Sequence, residues 1–195
     1  MVKYTPDYQF KEGIYITFRS FKTNNPVSIS TIVTNIPLND ISFFNKLLKK
    51  EKIIYYDDNG IRQTIETSQI WGYSKNNTIY INYEDDFFRI PTIGKISQFL
   101  ATVKVTRTAS DPFYNGMYGM GGMSATYESK ETRTFLLNMD NGLIYENNYK
   151  NVEKLIMSDK EIYTEYMNLK KRQRKKISYM YIKKYNDKNP IYFIK

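Results

Sequence analysis

The sequence predicts an α+β fold: an antiparallel β-meander, curled into a half-barrel or sandwich, with C-terminal helices packed on one face or edge. Three observations predict it. Short runs rich in Ile, Val, Thr and Tyr alternate with Asn-Gly and Asp-rich turns through most of the chain. Nineteen Tyr and eleven Phe favour pleated, half-buried surfaces, where a ring packs and a phenol stays wet. From residue 150 onward the apolar residues change to helical spacing. A length of 195 residues suits one domain, β-rich over 1–149 and basic and helical over 150–195.

In chain order, 11–18 reads as a strand entered through Gly13, and 20–26 as a turn or helical step. The β-branched run 27–36 reads as a second strand stopped by Pro37. Asn39 or Asp40 caps a short helix over 41–50, with Ile41, Phe44, Leu47 and Leu48 on one face. Strands 52–56 and 61–66 flank Asp57-Asp58-Asn59-Gly60, a hairpin turn. Strands 69–73 and 78–83 flank Lys75-Asn76-Asn77, and 87–90 and 97–106 follow. Strand character returns over 127–139, and Asn141-Gly142 turns the chain into a short strand near Ile144. Val152, Leu155 and Ile156 make a helical face. Ser158 with Glu161 reads as a capping box opening a helix that runs on to about Tyr185, stopped before Pro190.

Composition bounds the chemistry. The chain has no Cys and no His. Disulfides, thiolate nucleophiles, Cys-based metal sites and His-dependent triads are therefore excluded within it. Paired carboxylates remain available, at Asp57-Asp58 and at Glu84-Asp85-Asp86, but both sit where turns are expected. A carboxylate-based enzyme is the third-ranked reading, and no cofactor is expected. Trp71, the single Trp, reads as a core aromatic. A ligand cavity beside it would instead make the chain a binding module for a small apolar molecule or lipid, the second-ranked reading.

The net charge of +9 is concentrated at one end. Residues 150–195 hold 13 Lys/Arg against 5 Asp/Glu, while residues 1–149 hold 16 against 15. Within that end, Lys170, Lys171, Arg172, Arg174, Lys175 and Lys176 form a candidate basic contact. A second candidate contact is the Gly-rich, Met-rich segment holding Phe113, Tyr114, Met117, Tyr118, Met120 and Met123. Its side chains suit adaptable apolar packing on a partner. The three Met at three-residue spacing are also a ligand set for Cu(I), the less favoured alternative.

Several stretches resemble a group of uncharacterised envelope proteins of Bacteroidetes. They are Phe10-Lys11-Glu12-Gly13-Ile14-Tyr15 followed by Phe21 and Asn25-Pro26, Ile70-Trp71-Gly72-Tyr73, Asp140-Asn141-Gly142-Leu143-Ile144-Tyr145, Val152-Glu153-Lys154-Leu155, and 184–191. The resemblance implies export to the periplasm or outer-membrane region and carries no activity with it. The start, Met1-Val2-Lys3-Tyr4-Thr5-Pro6, has no apolar leader segment. The expectation is a mature form with its leader removed, or alternatively a cytoplasmic protein. The leading functional expectation is a non-catalytic accessory or structural protein docking on other envelope proteins, an outer-membrane complex among them. Anionic lipid is a further expected contact, and nucleic acid ranks below both.

Overall fold

The computed structural model describes residues 1–109 and 125–194. The candidate contact residues Phe113, Tyr114, Met117, Tyr118, Met120 and Met123 lie outside the described residues. The elements are β1 (Val2–Lys3), β2 (Gly13–Tyr15), α1 (Phe18–Lys22), α2 (Phe43–Leu47), β3 (Lys52–Tyr56), β4 (Arg62–Glu66), β5 (Gly72–Lys75), β6 (Thr78–Tyr83), β7 (Asp86–Arg89), β8 (Ile96–Ala109), β9 (Ala125–Asn138), β10 (Ile144–Glu146), α3 (Tyr149–Ile156), α4 (Lys160–Met167), α5 (Lys171–Lys188) and β11 (Tyr192–Phe193). The strands are antiparallel and the helical layer is C-terminal, as the sequence predicts.

Local turn chemistry sets much of this order. Asp57 Oδ1 accepts from the Asn59 and Ile61 amides at 3.0 and 2.9 Å, and Gly60 adopts φ +73°, closing β3 on β4. Asn76 and Asn77 both have positive φ, as do Glu84 and Asp85. That pairing gives the tight two-residue turn whose twist matches adjoining strands, and it links β5, β6 and β7.

Burial separates the strands into layers. Sheet β2-β5-β6-β7 and sheet β10-β9-β8 enclose a shared core that includes Ile79 and Ile81 from β6, Phe99 and Ala101 from β8, and Phe135 and Leu137 from β9. The Tyr83 ring lies 4.5 Å from that of Phe135 across this interface. The intervening Leu136 points to the opposite face, where Val152, Ile156, Ile162 and Tyr166 cover it. In the same way Tyr15 faces the shared core while Ile14 faces a third cluster with Phe44, Leu47 and Ile53. Strand alternation thus buries both faces of β9 where the helices cover it, which explains why 135–137 is continuously apolar.

Three segments depart from the sequence reading. The run 27–36 forms only isolated bridges, Ile14 to Val27 and Ile32 to Tyr55, around a tight helical turn at Ile29–Thr31. Ser28 Oγ accepts from the Ser30 amide and the Thr31 hydroxyl donates to the Ser28 carbonyl, so side chains satisfy groups a strand ladder would use. Helix α2 is shorter than 41–50, because Asp40 Oδ1 takes the Ser42 amide at 2.7 Å and holds Ile41 in an exposed turn. The single helix expected from Ser158 to about Tyr185 is broken after Met167 into α4 and α5, whereas Trp71, expected in the core, stacks on Phe21 there at 4.4 Å between ring centres.

Candidate functional site

The helical layer carries the excess positive charge, and each helix is positioned by its own cap and apolar face. Asn148 Oδ1 accepts from the Asn151 amide at 3.0 Å and starts α3. Val152, Leu155 and Ile156 face inward, leaving Lys150 and Lys154 exposed. Asp159, rather than Ser158, caps α4, accepting from the Ile162 amide at 3.2 Å. The Ser158 hydroxyl is taken by Tyr185 of α5, with the two oxygens 2.6 Å apart. Helix α5 opens where the Lys170 amide donates to Gln173 Oε1 at 3.0 Å, and it bends at Ile177 (φ −117°, ψ 16°).

Asp159 ties the start of α4 to the end of α5. It accepts from Asn189 Nδ2 at 3.1 Å and pairs with Lys188 at 3.1 Å. The Asn189 hydrogen bond leads the interactions that hold the Asp159 carboxyl below its ordinary range. Such a group stabilises the fold above the unfolded carboxylate pKa, about 3.9, and that contribution is lost as pH falls through the lower folded value. Thermal melts monitored by circular dichroism are therefore expected to show a Tm steady from neutrality to about pH 4 and falling below it. Asp40, Asp57, Glu131 and Glu165 are held low in the same direction and share that limb, so Asp159→Asn is expected to make it shallower without abolishing it, and an unchanged limb would remove Asp159 as a contributor.

The six cations of the basic cluster are not equivalent. Arg174 turns inward, its side chain only 16% exposed, and pairs with Glu153 of α3. Its carbonyl accepts the Tyr166 hydroxyl at 3.0 Å, and its guanidinium approaches Met167 Sδ at 3.2 Å. Burial pushes the Tyr166 hydroxyl up to about 12, so it stays protonated and donating. Arg174 thus fastens α5 to α3 and α4.

Lys170, Lys171, Arg172, Lys175 and Lys176 are exposed. Among the described residues none of these five forms an ion pair. Four of the five acids in 150–195 are engaged elsewhere: Glu153 with Arg174, Glu165 with Lys184, and Asp159 and Glu161 with Lys188. The positive potential at 170–176 is therefore left uncompensated. Lys171 and Lys175 extend over the Tyr149 ring, their Nζ atoms 5.8 and 5.6 Å from its centre.

Beside this cluster a groove of about 430 Å³ lies between α3 and α4. Tyr149, Lys154 and Met157 form one wall and Tyr163 and Met167 the other, with the Arg174–Glu153 pair at the bottom. The sequence reading missed this face. Its signal was present in the outward positions 149, 153 and 157 and in 150 and 154, spaced at one helical turn.

The acidic pairs serve turns. Asp57 also accepts from Gln63 Nε2 at 2.8 Å, and Glu84 and Asp85 are the central residues of the β6–β7 turn. Among the described residues no helix is long and apolar enough to cross a membrane. No family model, curated protein or solved structure matches the chain.

Proposed function

We propose that the chain is a non-catalytic docking protein of the cell envelope that holds an acidic surface of another envelope protein on its helical layer. The observation that carries this reading is the set of five exposed cations at 170–176, unpaired among the described residues, while neighbouring acids are spent on other cations. An uncompensated patch of this kind attracts and orients an oppositely charged surface. The envelope setting rests on the resemblance stated above. The use of Asp57, Glu84 and Asp85 in turns supports a docking role over carboxylate catalysis.

The test replaces Lys170, Lys171, Arg172, Lys175 and Lys176 with Gln and leaves Arg174 in place. Tagged wild-type and variant chains are recovered from the native host and their associated proteins identified by mass spectrometry. The expected result is a discrete acidic partner with the wild type, eluted by salt and absent from the variant, with Tm changed little because the five side chains are solvated. Equal recovery by both chains would overturn the proposal.

A further inference from the structure

The geometry points to an acidic amphipathic α-helix of the partner protein as the ligand of the groove between α3 and α4. This inference rests on the docking reading above and adds the form of the docked segment.

The groove runs along the outward face of α3 from Tyr149 to Met157. The eight residues of α3 with the C-cap Met157 span about 12 Å, room for roughly two turns of a second helix laid alongside. Met157, 59% exposed, caps α3 at the turn into α4, and Met167, 39% exposed, ends α4 beside Arg174, so one thioether lines each end of the groove with Tyr163 between them. Unbranched thioethers conform to whatever apolar side chain packs beside them, which is how adaptable helix-binding grooves are lined. Charge complements this apolar strip. Lys150 and Lys154 line the α3 wall, and Lys171 and Lys175 lie over the ring of Tyr149, which lines the groove. The one acid in the groove, Glu153, is neutralised by Arg174. An entering helix is therefore met by a thioether at each end of the groove, with the ammonium groups of Lys171 and Lys175 at the Tyr149 end.

Other polyanions fit this arrangement less well. A nucleic-acid backbone or a lipid headgroup would use the ammonium groups but gain little from Met157 and Met167. An acyl chain in so open a groove would stay half in water, forfeiting much of its transfer free energy. A helix with acids on one flank and Leu or Phe on the other uses both.

The experiment uses the full chain and three probes. The first is a fluorescein-labelled designed peptide of about 18 residues with Leu on one helical face and Glu elsewhere. The second has the same composition with Leu distributed around the helix. The third is a phosphatidylglycerol vesicle. Binding is read by fluorescence anisotropy for the peptides and by co-sedimentation for the vesicle. The groove variant, Met157→Ser with Met167→Ser, keeps the charge and removes the apolar strip. Both residues are solvent-accessible, and far-UV circular dichroism verifies that the variant folds.

The patterned peptide is expected to bind at least about tenfold more tightly than the scrambled one, and the groove variant to lose about that factor. Equal binding of the two peptides, an unaffected groove variant, or vesicle binding without peptide binding would each overturn the inference. The five-Gln variant separates the two proposals. If it binds the patterned peptide like the wild type, the docking reading fails. If it loses binding while the groove variant does not, docking stands and the helix-in-groove form fails.

Discussion

Replacing Phe21 with Ala is expected to lower the unfolding free energy by about 3–5 kcal/mol. Phe21 is fully buried on α1 and is the ring on which separate parts of the chain converge. Trp71 stacks on it at 4.4 Å, Phe10 at 5.6 Å, and the Tyr15 and Phe193 rings meet it edge-on at 5.5 and 5.3 Å. Phe193 belongs to β11, which pairs with β1, so the cavity would open where the two ends of the chain are joined. The neighbours are rigid rings that cannot collapse into the space, which places the loss high in the range for such truncations. A domain of this size is stabilised by only about 5–15 kcal/mol, so much of the margin would go. Urea denaturation read by Trp71 fluorescence measures it directly. A loss below about 1 kcal/mol would show that Phe21 is not a keystone of the shared core.

Asn186→Leu is expected to cost about 2–4 kcal/mol, although it enlarges apolar contact. The Asn186 amide accepts from the Ile96 amide and donates to the Ile96 carbonyl, both at 2.8 Å. It thereby completes the edge of β8 as a neighbouring strand would, and fastens α5 to the sheet. Leu keeps the volume and leaves two backbone groups of a buried residue without partners, each worth about 1–3 kcal/mol. Gly94 makes room for this clip, since a Cβ there would lie 2.5 Å from Asn186 Nδ2. Gly94→Ala should therefore shift stability in the same direction. Hydrogen exchange at the Ile96 amide gives a local readout. It should be slow in the wild type and faster in Asn186→Leu, and equal rates would dismiss the clip.

Features set by neighbours in sequence were legible from the residues. The turns at Asn59-Gly60 and Asn76-Asn77, the bounds of β6, the helical C-terminal end and the basic cluster each depend on a few adjacent side chains. Features set by partners distant in sequence were not. Arg174 sits among like cations, and nothing local distinguishes it from Lys175, yet Glu153, twenty-one positions earlier, draws it inward. Ser158 has the sequence of a cap, but Tyr185 competes for its hydroxyl and Asp159 takes the role. The run 27–36 has strand composition, but only single bridges reach it.

The sequence by itself determined that this chain is an antiparallel α+β protein, that it lacks imidazole and thiol chemistry, and that its excess charge lies in the final quarter. Only the tertiary structure decided that two sheets share one core, that the chain ends pair as β1 and β11, and that five of six clustered cations stay solvated beside a Met-walled groove. The reason is physical. Turn and helix preferences are fixed by torsions and hydrogen bonds within a few residues, whereas burial and charge pairing depend on which distant groups the packed chain brings within reach.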